Sequence, residues 1–237
     1  MQTHAIIVSA GKGVRMNRST PKQYLLLQGR PVLCHTIMAF SKCPDVDKIV
    51  LVVPEKDIQY CREHLLSGLG INKPVKVLAG GERRQDSVFN GILSIDDRDA
   101  IVVIHDGVRP LIQPKMISRC VNHAKLSGAC ILGVPLQETL KTVGRDGLIQ
   151  KTINRESLWT AQTPQAFYYQ HIRDAHEAAA KAGIQATDDA ALLERMGLPV
   201  NILPSTVENI KITTNDDLVL ADAILSQETQ ENDIVVT

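Results

Sequence analysis

The 237-residue chain has no excess of charge of either sign: 26 lysines and arginines balance 26 aspartates and glutamates. Such a chain carries no overall basic field to attract nucleic acid, so any anion site must be assembled locally. Aromatic residues make up only 3% of the sequence, which leaves the core to Val, Ile, Leu and Ala. No two cysteines have C-x-x-C spacing. The five (Cys34, Cys43, Cys61, Cys120 and Cys130) fall mostly in apolar segments, where Cys acts as a small hydrophobe. An odd, dispersed set argues against a disulfide framework or a zinc site and fits a reducing cytosol. No apolar run is long enough to span a membrane, and Met1 leads into a short apolar segment with no basic leader. These absences point to a soluble, cytoplasmic protein, and the length suits one α/β domain over residues 1–237.

What is present is an alternation of short apolar runs with helical segments. Residues 5–10, 48–53, 75–79, 100–105 and 129–135 read as strands. They are continuous in Val, Ile and Leu, as expected of strands covered on both faces. Between them, 31–41, 56–66, 84–94 and 114–127 read as helices, with Pro31 and Pro114 suited to a first helical position. This pattern predicts a doubly wound, mostly parallel sheet of Rossmann-like type. The rhythm breaks after Pro135. Residues 136–143 and 148–154 flank the turn Gly144-Arg145-Asp146-Gly147 and predict a β-hairpin arm over about 136–158. A lone hairpin cannot bury its own faces, so the arm is expected to pack on another subunit. Helices are expected at 168–182 and 188–196, a strand at 200–203, and a last helix from Asn215 with Leu218, Ala221 and Leu225 on one face. The segment from residue 227 is expected to fray.

The first strand runs into Ser9-Ala10-Gly11-Lys12-Gly13-Val14-Arg15-Met16, and Pro21-Lys22-Gln23 follows. A glycine loop at the carboxyl end of a first strand is a phosphate-binding position in α/β sheets. Gly11 and Gly13 allow close backbone approach to an anion, Arg15 offers a planar fork, and Lys22 a movable point charge. A dinucleotide-binding turn would want a third glycine where Met16 stands, and no Walker G-K-[ST] follows. His105-Asp106-Gly107-Val108-Arg109-Pro110 closes the fourth apolar run, so Asp106 falls at the same sheet edge. A carboxylate beside a triphosphate needs an intervening cation, which suggests Mg²⁺ ligation; a helix-capping role is the alternative. His105 reads as structural; the plain alternatives to a nucleotide contact are an ordinary turn for the Gly80-Gly81 pair and a solvated helix residue for Arg84.

Taken together, G-x-G-x-R-M followed by P-K-Q resembles the signature of sugar-phosphate nucleotidyltransferases. The remaining segments narrow the resemblance to the 2-C-methyl-D-erythritol 4-phosphate cytidylyltransferase family. They are Gly80-Gly81-Glu82-Arg83-Arg84-Gln85-Asp86-Ser87, His105 to Pro110, Glu138-Thr139-Leu140-Lys141, Asn154-Arg155-Glu156-Ser157-Leu158-Trp159, Gln162-Thr163-Pro164-Gln165, Thr187-Asp188-Asp189-Ala190 and Asn209-Ile210-Lys211-Ile212-Thr213. Each is modest alone, but their order and spacing are specific and run from Ile6 to Leu220. The resemblance implies a cytidylyltransferase using CTP and Mg²⁺. It implies that Gly11, Gly13, Arg15 and Lys22 hold the triphosphate, that Gly81, Glu82 and Ser87 contact the nucleoside, and that Ala10 belongs to the same CTP-binding set. Asp106, Arg109, Thr139, Arg155, Thr163 and Thr187 would serve the acceptor phosphate and metal. Arg15, Lys22 and Lys211 would stabilise developing charge. It further implies a homodimer in which the arm completes the neighbour's acceptor pocket. Ser9, Glu82 and Asn154 depart from commoner family residues (Ala, Asp and Asp), and none of these changes removes a cationic phosphate contact. A ribitol-5-phosphate cytidylyltransferase shares the loop and the reaction. More distant alternatives are a Rossmann oxidoreductase and a non-catalytic nucleotide-binding module.

Overall fold

The computed structural model describes residues 1–11 and 20–235. Strand β1 (Thr3–Val8) is followed by a paired stub, β2 (Leu26–Leu27) and β3 (Arg30–Pro31), and by helix α1 (Val32–Lys42). Next come β4 (Lys48–Val53), the short helix α2 (Ile58–Tyr60), β5 (Val75–Ala79), α3 (Arg84–Leu93), β6 (Ile101–Asp106), α4 (Pro114–Ser127) and β7 (Ala129–Pro135). The hairpin strands β8 (Lys141–Val143) and β9 (Ile149–Thr152) precede the long strand β10 (Trp159–Tyr168). Helices α5 (Tyr169–Lys181) and α6 (Ala190–Arg195), strand β11 (Asn201–Pro204) and helix α7 (Asn215–Val235) complete the described chain.

Seven of the described strands form one sheet in the order β11-β7-β10-β6-β1-β4-β5. β1 is parallel to both β4 and β6, β4 to β5, and β11 to β7, while β10 runs antiparallel between β6 and β7. Side chains alternate across the sheet. Ala5 and Ile7 with Ile101 and Val103 meet α1 and α4 through Leu33, Ile37, Phe40, Ile117 and Val121. Ile6 and Val8 with Val102 and Ile104 meet α3, α5 and α6 through Val88, Ile92, Ile172, Ala175 and Leu193. Both faces are therefore covered, which is why these strands are apolar throughout. The chain leaves β1 towards β4 and β5, then returns to the other side of β1 as β6. That reversal opens a crevice at the carboxyl ends of β1 and β6, the place where open α/β sheets bind ligands.

The structure departs from the expectations in four places. The expected helix over 56–66 changes pitch along its length, from a 3-10 turn (Glu55–Asp57) through α2 to a π turn (Cys61–Leu65). Only Cys61 and Leu65 within it are buried, so local bonds such as Leu66 N–H to the Cys61 carbonyl set each turn. Pro31 lies just before α1 rather than within it and pairs in the stub. The last helix continues to Val235 rather than fraying from residue 227, because its polar residues include Gln and Glu, which favour helix, and neither Gly nor Pro. Most consequential is β10, which the alternating pattern concealed. Polar residues and Pro164 interrupt its apolar character, and proline is disfavoured in a central strand. The ladder to β7 shifts register between Gln162 and Gln165, and Pro164 occupies that gap.

Strand β10 also carries a buried anchor. Gln165 is 1% exposed, and its Oε1 accepts from the backbone N–H groups of Asp189 and Ala190 at 3.2 Å each. Its Nε2 donates to Asp188 Oδ2 at 2.8 Å. This one side chain ties the start of α6 to the centre of the sheet. Gln165→Leu should therefore strand two N–H groups and lower the unfolding free energy by about 2 kcal/mol. A urea unfolding midpoint equal to that of the parent protein would contradict the anchoring role.

Candidate active site

A cavity of about 470 Å³ opens at the carboxyl edge of β1 and β6. Ser9, Ala10 and Gly11 form one wall, and Gly81, Glu82, Arg83, Arg84 and Ser87 another; Lys22, Asp106 and Lys211 also face it. Three segments far apart in sequence thus converge on one volume. Gly13 and Arg15 lie outside the described residues.

The two walls meet because Gly80 has no side chain. A Cβ there would collide with the Ala10 Cβ and come within 2.8 Å of Ser87 Oγ. Ser87 is buried; its Oγ accepts from the Gly81 N–H at 3.0 Å and donates to the Arg83 carbonyl at 3.0 Å. The loop before α3 is thereby folded back onto the first turn of that helix. Asp86 strengthens the same turn by bonding the Arg83 backbone N–H and side chain.

Asp106 ends β6 with only 6% of its surface exposed. Its Oδ1 accepts from Arg84 Nε at 2.9 Å, its Oδ2 faces Lys211 Nζ at 2.8 Å, and Arg109 Nε lies 3.9 Å away. Burial alone would raise the Asp106 carboxyl, but the Arg84 guanidinium and the Lys211 ammonium hold it well below the usual carboxylate range. The helix-capping alternative does not apply, since α4 begins only at Pro114 with Gln113 before it. Arg84 is not a solvated helix residue. Its Nη1 lies 2.9 Å from Asp189 Oδ2, so one guanidinium spans two buried carboxylates. Asp189 is in turn 3.2 Å from His176 Nε2. Burial works against the charged form of Arg84, yet Asp189 and Asp106 raise its pKa well above the ordinary arginine value.

Lys211 is delivered by a pinned segment. Asn209 is buried and donates from Nδ2 to Gln162 Oε1 and to the Thr163 carbonyl, both at 2.9 Å. Arg109 Nη1 donates to the Asn209 carbonyl at 2.6 Å, and the Ile212 N–H donates to the Val108 carbonyl at 2.8 Å. Lys22 Nζ donates to the Ile212 carbonyl at 3.1 Å, which brings both lysines to the same rim. Ile212 packs with Leu25, Leu27, Val32 and Ala221 in a small apolar cluster under α7, with Leu218 and Leu225 at its margin. Gln28 fastens that helix through Asp222 Oδ1 at 2.8 Å and Ser226 Oγ at 3.0 Å.

Thr163 sits behind Asp106 rather than in the cavity. Its hydroxyl accepts from the Asp106 N–H at 3.1 Å and lies 3.0 Å from His105 Nδ1. His105 is fully buried, and burial pushes its pKa down to about 3. It packs as a neutral ring against Phe40. Arg109 points at Asn209 and does not line the cavity. Thr139, Arg155 and Thr187 are exposed and also lie off the cavity wall. Asp189 was visible only as part of the Thr187-Asp188-Asp189-Ala190 segment and His176 gave no signal, because their link to the cavity runs through the contact of Asp189 to Arg84.

Among the described residues no three His, Cys, Asp or Glu side chains cluster as a metal site. Magnesium needs fewer protein ligands, since it commonly takes one or two carboxylates and completes its shell with water and substrate phosphates. The Asp106 carboxylate at the cavity wall fits an ion that arrives with a polyphosphate.

Gly80→Ala should force the two walls apart at a cost of about 2 kcal/mol, lowering the thermal midpoint by about 5 °C. An unchanged midpoint would show that the walls are not held by this close approach.

Comparison with known proteins bears on this arrangement. The family model for 2-C-methyl-D-erythritol 4-phosphate cytidylyltransferase matches residues 3–227. The enzyme of that name from Syntrophus aciditrophicus is 46% identical over 224 residues, covering 94% of this chain and 96% of the relative. The one from Geotalea uraniireducens is 46% identical over 233 residues, covering 98% and 100%. Among solved structures, the 4-diphosphocytidyl-2C-methyl-D-erythritol synthase of Anaerococcus prevotii superposes with a TM-score of 0.84 at 30% identity, covering 95% of this chain and 96% of that one. The Francisella tularensis cytidylyltransferase gives a TM-score of 0.79 at 31% identity, covering 94% and 99%. With that match over nearly its whole length, the chain belongs to the 2-C-methyl-D-erythritol 4-phosphate cytidylyltransferase family.

Proposed function

We propose that this protein transfers the cytidylyl group of CTP to 2-C-methyl-D-erythritol 4-phosphate and releases pyrophosphate. The observation that carries the reading is the meeting of Lys22, Lys211 and Asp106 with the Gly11 and Gly81 loops around one cavity. The acceptor's phosphate oxygen attacks the α-phosphorus of CTP. The bond from that phosphorus to the oxygen bridging to the β-phosphate breaks, and pyrophosphate leaves with the electron pair. The nucleophile is already ionised near neutral pH, so the protein need not remove a proton. Its task is to align two polyanions and offset their repulsion.

In this reading Lys22, Arg15 and the N–H groups of Gly11 and Gly13 hold the triphosphate. Ala10, Gly81, Glu82 and Ser87 contact the nucleoside, with backbone carbonyls near Gly80-Gly81 accepting from the 4-amino group of cytosine. Lys211 turns from Asp106 to the reacting phosphate, and the Asp106 carboxylate would be the residue to hold Mg²⁺. When bound, Mg²⁺ supplies positive charge to the phosphate oxygens. Arg84 keeps the Asp106 carboxylate oriented throughout.

The acceptor side is proposed to be completed by a second subunit. Thr139 and Arg155 belong to the segment joining the antiparallel neighbours β7 and β10, and that segment exposes Val143, Leu148 and Ile149. An uncovered apolar surface on a hairpin with so little core of its own supports burial against another copy. Thr187 completes the acceptor contacts, Arg109 serves by holding the Asn209 carbonyl in the segment that carries Lys211, and Thr163 serves by fixing Asp106.

Pyrophosphate release should be measured with CTP, UTP and ATP against the methylerythritol and ribitol phosphates. CTP with the methylerythritol phosphate should be fastest, and release with ribitol 5-phosphate alone would overturn the acceptor assignment. Lys22→Ala and Lys211→Ala should each reduce turnover about 100-fold or more while remaining folded. Near-parental turnover in either variant would remove that lysine from the mechanism. Light scattering should give twice the chain mass, and Leu148→Glu combined with Ile149→Glu should halve it. A monomeric parent protein would refute the shared pocket.

A further inference from the structure

The cavity-lining Arg84 is linked away from the cavity to a pair of residues that no part of the proposed reaction uses. Asp189 is 1% exposed and His176 is also 1% exposed, and together they form the inner end of a line of charges: His176, Asp189, Arg84, Asp106 and Lys211. The His176 ring is stacked on Phe89 with centroids 5.6 Å apart and planes within 13°. Asp189 is itself fixed through its backbone N–H to Gln165. The inner end is thus rigid, while the outer end, Lys211, keeps about a third of its side chain exposed.

An incoming triphosphate is a strong competitor for a guanidinium that borders its cavity, since Arg binds phosphate through the same fork it offers to carboxylates. Asp106 holds Arg84 by Nε alone and must also face Lys211. The second grip, Asp189 on Nη1, uses the other side of the fork. We infer that Asp189, steadied by His176, is a positioning residue that reserves Arg84 for Asp106 and withholds it from the nucleotide phosphates. Lys211 is then the member of the line that is free to exchange partners, and the Asp106 carboxylate stays in place while it does so. The geometry explains why two buried carboxylates, one of them at the cavity wall, share one arginine, an arrangement that would otherwise leave Asp189 and His176 as a polar pair in the apolar layer between α3 and α5.

The inference rests on the reading of Asp106 and Lys211 as part of the reaction, and a double-mutant cycle separates the two. Asp189→Asn keeps the shape and removes the charge. It should lower kcat tenfold or more while KM for CTP is unchanged or falls, because the released Arg84 binds ground-state phosphate. Arg84→Lys, whose single ammonium cannot span both carboxylates, should show a comparable loss of kcat. In the Arg84→Lys background, adding Asp189→Asn should change kcat less than twofold, since the contact is already gone. A purely structural role would instead give the same loss in both backgrounds, and that result overturns the inference. So does an Asp189→Asn kcat within twofold of the parent value. His176→Phe, which preserves the stack on Phe89 and deletes only the contact to Asp189, serves if Asp189→Asn fails to fold. It should cost at least threefold in kcat in the parent and less than 1.5-fold in Arg84→Lys; equal losses in the two would count against the line. Parental turnover in Lys211→Ala would mark failure of the underlying site reading, whatever the cycle gives.

Discussion

Asp106 carries a full negative charge at the end of a strand whose other residues, Ile101 to His105, are all buried. A charge so placed is costly unless it is paired and hydrogen-bonded. Its partners come from the first turn of α3, the helix just before β6, and from the segment before α7, which the chain reaches only long after β6. Removing one partner of such a buried pair typically costs about 3–5 kcal/mol, because the other charge is left uncompensated. The carboxylate therefore constrains the fold as well as the chemistry. Wherever Asp106 goes, an arginine and a lysine must follow.

The remaining architecture can be read as the means of meeting that demand. Covering both faces of the sheet fixes β1 and β6 side by side, with Val8 opposite Asp106. The absence of a side chain at Gly80 lets the loop ahead of α3 approach β1 closely enough for Arg84 to reach across. On the other side, β10 supplies Gln162 and the Thr163 carbonyl as fixed acceptors for Asn209, and Asn209 sets the segment that ends in Lys211. The antiparallel strand in an otherwise parallel neighbourhood has a function here. Its register shift around Pro164 frees the Thr163 carbonyl from the β7 ladder, and that carbonyl and the Thr163 hydroxyl are both used at the site.

Those relations mark the limit of what the sequence discloses. Continuous apolar strands are legible because burial on two faces demands them, and β4, β5 and β7 fall where the apolar runs predict. The convergence of Lys22, Gly81, Ser87, Asp106 and Lys211 was legible through the order of the motifs. Strand β10 was not, since Gln162-Thr163-Pro164-Gln165 looks like a loop until a neighbour on each side supplies its bonds. The role of Arg84 stayed open for a related reason. An arginine in the first turn of a helix is ordinarily solvated, and nothing local reveals that Asp106 and Asp189 enclose it. Sequence patterns report burial and spacing well, whereas pairing between distant charges is a property of the tertiary contacts alone.

The two halves of the proposed site differ in how they are held. On the nucleotide side, Ser87 and Asp106 are buried, and their hydrogen bonds are formed within the chain. On the acceptor side, Thr139, Arg155 and Thr187 are exposed. A prearranged set of charges can stabilise a transition state without reorganising as the reaction proceeds. An exposed set must first lose side-chain freedom, at a cost of roughly 1–2 kcal/mol for a long side chain such as arginine. Contact with a second copy would meet that cost when the subunits assemble rather than at each turnover. Dimerisation, in the proposed reading, does for Arg155 what Asp189 does for Arg84: it fixes a cation before the anion arrives.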